Sequence, residues 1–462
     1  MGPRITIIGG GSYQWVPKLL VDIANTPRLR EAEIVIEDVN PEPVPRMIEF
    51  VEHIAGVRGI PLRARGTTDE RAALEGADYV VVSISTGGFE SMRHDLDIPA
   101  RYGIRQSVGD TVGPGGIIRA QRNIPVMLGI ARNMEELCPD AWLLNLTNPM
   151  TTLCRAVTRE TAVKTVGLCH EVTICQFVLS LLLDVPFFSI QPTVAGVNHL
   201  PFVTELGVDG DDGFSRVRDV LDHASARAGD PLAMPFPEGL GHEKVSEGSE
   251  WAKGDLLAAN QVKFELFRRF GVLPAAGDRH LVEFFPGFLT EESGWGKHWG
   301  VALTTIEERE AWQRRYVAEF EGMLAAAEVP GLPSGEMVAP VIDCLLHDRT
   351  GWFPLNVPNH GQVADLGPGV VVESMCTVDG SGVRGRDQVS LPPAPADCLR
   401  RVSAAQELTV EAAVTGDRDR VFEAMLVDPL AGRIDYDRLA EMTDDMLAAT
   451  RPWLPQFSSP SV

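Results

Sequence analysis

Two short stretches carry residues that packing alone does not explain. Cys169-His170-Glu171-Val172 follows the apolar run Val166-Gly167-Leu168, and Asn198-His199 sits between Val197 and Leu200. Both runs read as strands, so a thiol and an imidazole arrive at strand ends. A soft thiolate beside an imidazole suits a divalent transition metal. One Cys and one His cannot close a structural zinc site, which takes four protein ligands. Cys169 and His199 therefore point to an open metal site, completed by oxygens of a substrate. The plainer alternative is a buried Cys beside a satisfied His, since free Cys is among the most buried residue types.

The elements upstream favour the metal. Ile5-Thr6-Ile7-Ile8 is a β-branched run that ends in Gly9-Gly10-Gly11-Ser12, and helix-compatible sequence follows from Tyr13 to Asn25. A strand, a glycine turn and a helix start cradle the pyrophosphate of a dinucleotide, with Gly9, Gly11 and Ser12 at the turn. Gln14 occupies the third glycine position, so the fingerprint is incomplete. The next strand, Ile34–Asp38, ends in acid at a distance that suits a ribose, and Asp38 favours NAD over NADP. A third buried strand, Ala77–Ser85, delivers Ser85 to the edge where parallel sheets bind ligands. Trp142–Leu146 reads as a fourth, closed by Thr147-Asn148-Pro149; the Asn148 amide there can donate to and accept from a sugar hydroxyl.

Between the third and fourth strands, Ser107–Arg119 holds four glycines and reads as a loop laid over a ligand, carrying Asp110, before a helix from Arg122 to Cys138. The βα rhythm loosens after His199, which places a boundary near residue 195: a dinucleotide-binding part, 1–195, and a mixed α+β part, 196–462. In the second part, Asp209–Asp230 reads as loop and surface helix, and Trp251–Phe270 as a helix ended by Gly271. Leu273–Gly287 sets Asp278-Arg279-His280 beside Phe284 and Phe285, a candidate cleft wall. Residues 305–328 read as an amphipathic helix, Asn356–Val363 as a polar loop aimed at a ligand, and residues 398–450 as helical after Pro392-Pro393-Ala394-Pro395. From Arg451 a loose tail is expected.

The chain has 462 residues and a formal net charge of −23. That balance argues against nucleic acid, which needs a basic footprint, and against an anionic membrane surface. The expected partner is a small molecule. No run is long and apolar enough to span a bilayer, and no leader is expected. Gly2 and Thr6 match a myristoylation spacing, but Thr6 already belongs to the first strand. Seven cysteines form no disulfide framework and fit a reducing cytoplasm.

The ordered set of Gly9–Ser12, Gly109-Asp110-Thr111-Val112-Gly113-Pro114-Gly115-Gly116, Thr147-Asn148-Pro149, Cys169-His170-Glu171-Val172, Asn198-His199 and Asn356-x-x-Asn359-x-Gly361 resembles the family 4 glycoside hydrolases along nearly the whole chain. Cys169–Val172 together with Pro274–His280 is most similar to bacterial α-galacturonidases. The resemblance implies an α/β fold: a Rossmann-like, doubly wound N-terminal domain similar to lactate and malate dehydrogenases, with a mixed C-terminal domain. It implies NAD, a divalent metal (usually manganese), and a homodimer or homotetramer.

The reaction so implied is not that of a two-carboxylate glycosidase. NAD oxidises sugar C3, a base removes the C2 proton, the leaving group departs from C1, water adds and the steps reverse. Cys169 and His199 would hold the metal and His170 would be the acid, with Asp110 a second candidate near C1. Relatives with a tyrosine base find none matched here, so Asp278 stands in, helped by His280. Arg279 would fork to a uronate carboxylate. The alternatives are an α-glucosidase or α-glucuronidase of the same mechanism, a 2-hydroxy-acid dehydrogenase, and a non-catalytic NAD-binding regulator. No basic cluster is visible in the sequence, which disfavours a phosphorylated sugar.

Overall fold

The computed structural model describes residues 2–228, 253–329 and 335–457. Its strands are β1 (Arg4–Ile8), β2 (Glu33–Glu37), β3 (Arg63–Thr67), β4 (Tyr79–Val82), β5 (Trp142–Asn145), β6 (Lys164–Leu168), β7 (Ile190–Val197), β8 (Leu200–Val208), β9 (Asp211–Asp212), β10 (Leu273–Pro274), β11 (Gly351–Pro358), β12 (Val371–Asp379) and β13 (Gly382–Gly385). They form one sheet in the order β10-β8-β7-β12-β11-β6-β5-β4-β1-β2-β3, with β13 on β12 and β9 on β8. From β3 to β6 every pairing is parallel, in the order 3-2-1-4-5-6. That is the doubly wound dinucleotide order, and its switch point lies beside β1. From β6 outward every pairing is antiparallel. Strand β7 crosses residue 195, so the sheet itself runs through both halves of the sequence.

The parallel strands read as unbroken apolar runs because both their faces are covered. Ile5, Ile7, Ile34, Ile36 and Val81 belong to one apolar cluster; Ile8, Val35, Val80 and Val82 belong to another. Period two thus divides each strand between two helix layers. Strand β3 was not legible: Arg63-Ala64-Arg65-Gly66-Thr67 is polar and half-exposed, as an edge strand can be.

Four expectations need correction. The glycine-rich stretch is half helix, since the helix that follows it begins at Gly113 and runs to Leu137, opened by Pro114 near its first turn. Its glycines serve close packing: a Cβ on Gly115 would meet Gln106 and the Gly109 carbonyl, and one on Gly116 would strike the Thr111 backbone. The end of the chain is not loose as far as Phe457. Leu454 is buried and Gln456 Nε2 donates to the Gln121 carbonyl at 2.8 Å. Of the expected loop Asn356–Val363, the residues up to Pro358 belong to β11, and Asn359 turns inward: its amide nitrogen donates to the Val363, Leu366 and Gly367 carbonyls and its oxygen accepts from Gly361 and Val363 N–H, which holds the following turn on itself. The expected helix Trp251–Phe270 is two helices, Lys253–Ala258 and Gln261–Phe270, and Trp251 and Ala252 lie outside the described residues. No described helix is long and apolar enough to cross a membrane.

Candidate active site

At the carboxyl end of β1, Gly9 has φ of 78°, and a Cβ there would strike the Ser83 carbonyl. Only glycine fits both conditions. Asp38, just past β2, closes this turn: its Oδ2 accepts from Gly11 N–H and its Oδ1 from Asn40 N–H, both at 2.9 Å. Ser12 opens into the turn before the helix Val16–Asn25, and Ser85 lies exposed beyond the end of β4.

A run of hydrogen bonds crosses the strand ends from there. Asn123 accepts from Thr86 N–H after β4 and donates to the Asn148 carbonyl after β5. The Asn148 amide donates to Asp110 Oδ2 at 3.3 Å. Thr111 Oγ1 is 2.7 Å from Asp110 Oδ1 and 2.8 Å from His199 Nδ1. The carboxylate can only accept, so the threonine hydroxyl donates to it and accepts from Nδ1–H. That fixes the tautomer of His199 and leaves its Nε2 lone pair for a cation. His199 sits at the β7–β8 turn with φ of 64°.

Asp110, His199 and His280 bring one donor atom each within 4.8 Å of one another, and they are the one such group among the described residues. The His199 and His280 rings stack, centroids 3.6 Å apart and planes at 26°. Burial works to raise the Asp110 carboxyl, but His199 and Arg119 outweigh it and hold it below the usual range. For His199 burial prevails and depresses the imidazole, which keeps it neutral, as a metal ligand requires.

Cys169 is buried past the end of β6 and is not in that group of three. Burial, then Glu373 and Glu171, push its thiol up. Next to it, His170 Nδ1 is 2.8 Å from Glu336 Oε1. Burial opposes the charge on this imidazole, but Glu336 prevails and raises it to about 9. Glu171 links the two histidines: its Oε1 lies 4.0 Å from His170 Nε2 and 3.8 Å from His280 Nε2, and its Oε2 accepts from Gly277 N–H at 2.5 Å.

The Family 4 glycosyl hydrolase model matches residues 4–185, and the model of that family's C-terminal domain matches residues 194–431. The chain belongs to this family. It is 33% identical to an alpha-galacturonidase of Thermoanaerobacterium saccharolyticum, over 97% of this chain and 96% of that one. It is 30% identical to an alpha-galactosidase of Bacillus subtilis, over 98% and 99%. A 6-phospho-alpha-glucosidase from gut microorganisms, solved in complex with NAD and Mn2+, superimposes with a TM-score of 0.80 at 20% identity, over 98% and 99%. These names divide over the sugar.

The geometry of this family 4 chain gives one expected catalytic residue a structural set of contacts. Asp278, expected as the base, is spent as a helix cap: its two oxygens accept from Val262 and Lys263 N–H at 2.8 and 2.9 Å, at the start of the helix Gln261–Phe270. The basic cluster that the sequence did not reveal is present. Arg279 and Arg309 donate to the Ser107 and Val108 carbonyls, just before Asp110, and Arg119 donates to the Asn148 carbonyl. Arg279 also contacts Thr304 Oγ1, so part of its guanidinium is engaged, while its Nε and that of Arg309 are buried without a partner. Arg119, Arg309, Thr111, Glu171 and Glu336 were not singled out as site residues. For Thr111 the motif around Asp110 was a signal; Arg309 and Glu336 lie in segments that carry none.

Proposed function

We propose that this chain is an NAD- and divalent-metal-dependent α-glycosidase acting on α-galacturonides. The observation that carries this reading is the run of hydrogen bonds from Thr86, just past β4 and next to the glycine-turn strand β1, through Asn123 and Asn148, to the Asp110–Thr111–His199 relay. It sets a dinucleotide cradle and a metal-type donor group along one edge of one sheet, as a hydrolase that borrows a hydride requires.

The residues fit both groups. Gly9, Gly11, Ser12, Asp38 and Ser85 line the cradle. His199 and Cys169 would hold the cation with Asp110 and His280 near it; imidazole, thiolate and carboxylate together suit a divalent transition metal. When bound, NAD supplies a reversible hydride acceptor and the cation supplies Lewis acidity toward sugar oxygens. The chain's own contributions follow from the contacts. Asn148 orients Asp110 and carries an unpartnered buried Oδ1, an acceptor for a sugar hydroxyl. His170, kept protonated by Glu336, is suited to protonate the leaving oxygen at C1. Asp110 stays ionised, which fits it to hold Thr111 and His199 better than to act as an acid.

Support for an acidic sugar comes from the guanidinium groups of Arg119, Arg279 and Arg309. Two of them present buried, unpartnered Nε–H donors, and a carboxylate is a matched acceptor. A neutral α-galactoside or α-glucoside would leave those donors unpaired, which costs about 1–3 kcal/mol each.

The test is hydrolysis of nitrophenyl α-D-galacturonide, α-D-galactoside and α-D-glucoside, with manganese, NAD+ and reductant each omitted in turn. Cleavage of the galacturonide that needs NAD+ and manganese, without net NADH, is the expected outcome. Net NADH without sugar release would replace the reading with a dehydrogenase. Equal rates on all three sugars would end the uronate assignment.

A further inference from the structure

With Asp278 spent as a cap, the proton on sugar C2 has no acceptor assigned, and Leu273–His280 holds no tyrosine. We propose that His280 is the base that removes it, held in place by Glu171. This rests on the redox-assisted glycosidase reading above.

The placement argues the case. His280 stacks on His199, 3.6 Å between centroids, and has a nitrogen within 4.8 Å of donor atoms of both His199 and Asp110. A sugar whose 2-oxygen is held beside His199 presents C2 one bond further on, which puts a group stacked on that ring within reach of C2, and His280 is stacked there. It lies in the first turn of the helix Asp278–Phe284, and its backbone is pinned on both sides: its own N–H donates to the Gly277 carbonyl at 2.9 Å, and the Arg279 carbonyl accepts from Ser107 Oγ. Glu171 is buried, and one of its oxygens is fixed by Gly277 N–H, so the other faces His280 from a constant position. A carboxylate beside an imidazole that takes up a proton stabilises the imidazolium as it forms.

Asp110 accepts from Thr111 and Asn148, and His170 is paired with Glu336. In the step itself C3 is already a ketone, oxidised by NAD. The C2–H bond breaks and its proton passes to a ring nitrogen of His280. The electron pair becomes a C2–C3 double bond as the C3 carbonyl oxygen takes the negative charge. On reversal His280 returns the proton.

The experiment uses full-length protein with manganese and NAD+, and whichever nitrophenyl α-glycoside of the panel the unaltered enzyme cleaves, unlabelled and deuterated at C2. The unaltered enzyme is expected to slow with deuterium and to wash the label into water. In His280→Asn and His280→Gln, turnover and label loss are both expected to fall by about 10²–10⁴-fold. Enzyme-bound NADH, read at 340 nm, still forms, because oxidation at C3 does not need this residue. Manganese and NAD+ affinities by calorimetry are expected to stay within a few-fold. Label loss in either variant at near the unaltered rate would overturn the assignment to His280, and so would a tenfold or greater loss of manganese affinity, which would make it a ligand. A variant that binds both cofactors but forms no NADH would also overturn it. If instead the unaltered enzyme keeps the C2 label, or cleaves without NAD+, the functional reading itself fails, whatever the variants do.

Discussion

Thr111 Oγ1 accepts a hydrogen bond from His199 Nδ1 at 2.8 Å while donating to Asp110 Oδ1 at 2.7 Å. The relay sets which nitrogen of His199 carries its proton, and it joins the loop before the Gly113 helix to the β7–β8 turn. Thr111→Val keeps the shape and removes the hydroxyl. The expected result is a loss of manganese affinity of about 10–100-fold, the usual cost of losing an orienting partner of a metal-binding histidine. NAD+ affinity stays unchanged. Calorimetric titration with MnCl2 and with NAD+ reads both, and unchanged manganese binding would remove the relay from the site.

Asp278→Asn separates a helix cap from a catalytic base. Lys263 is buried, its Nζ donates to the Ala275 carbonyl at 3.2 Å, and the nearby Asp278 carboxylate balances its charge. An amide in place of the carboxylate keeps one acceptor and turns an NH2 toward the other backbone N–H, which costs about 1–3 kcal/mol for the donor left unsatisfied. Turnover per folded molecule is expected to stay within a few-fold of the unaltered enzyme. Chemical denaturation and assays at low temperature measure the two effects apart. Normal stability with turnover lost would restore Asp278 as the base.

The division between what the sequence disclosed and what it hid follows from distance along the chain. The glycine turn after β1, the acid after β2 and the polar ends of β4, β5 and β6 were legible because each is a local pattern on an apolar strand, and the 3-2-1-4-5-6 order agrees with them. Cys169 and His199 stood out by residue type. The arginine group was hidden, because Arg119, Arg279 and Arg309 are brought together only by folding, and so was the pairing of His170 with Glu336 across 166 positions. Asp278 misled for the opposite reason: it neighbours Arg279 and His280 in sequence, but a helical turn sends adjacent side chains to different faces. The glycines of the Gly113 helix looked like a flexible loop because close packing and flexibility use the same residue.

The Asp95–Arg122 ion pair lies beneath the site with both side chains fully buried. Arg122 makes two bonds to the carboxylate, at 2.8 and 2.6 Å, and a third to the Thr86 carbonyl just past β4. Removing one partner strands the other charge in the core. Arg122→Met is therefore expected to cost about 3–5 kcal/mol. Asp95→Asn/Arg122→Met together should cost less than the sum of the two single changes, because no buried charge is left unpaired. Thermal unfolding of the single and double variants reads this directly, and strict additivity would mean that the pair does not act as a unit.

Stability should fall as pH rises through neutrality in the metal-free protein, and Glu373 should carry much of the effect. Burial pushes its carboxyl up to about 8, against the lowering hydrogen bond from Asn198. Burial likewise pushes Glu283, Asp278 and Glu37 up to about 7. A carboxyl raised in the folded state binds its proton more tightly there than in the unfolded chain. Its contribution is fully present below the ordinary value of 4.5 and is lost as pH climbs through the folded value. Each unit of difference is worth about 1.4 kcal/mol, so Glu373 alone should account for about 2–4 kcal/mol between about pH 5 and 8. Glu373→Gln, measured by urea unfolding with a chelator present, should flatten the profile by that amount, gaining on the unaltered protein at the alkaline end. Parallel profiles for the two proteins would show that Glu373 does not take up its proton in the folded state.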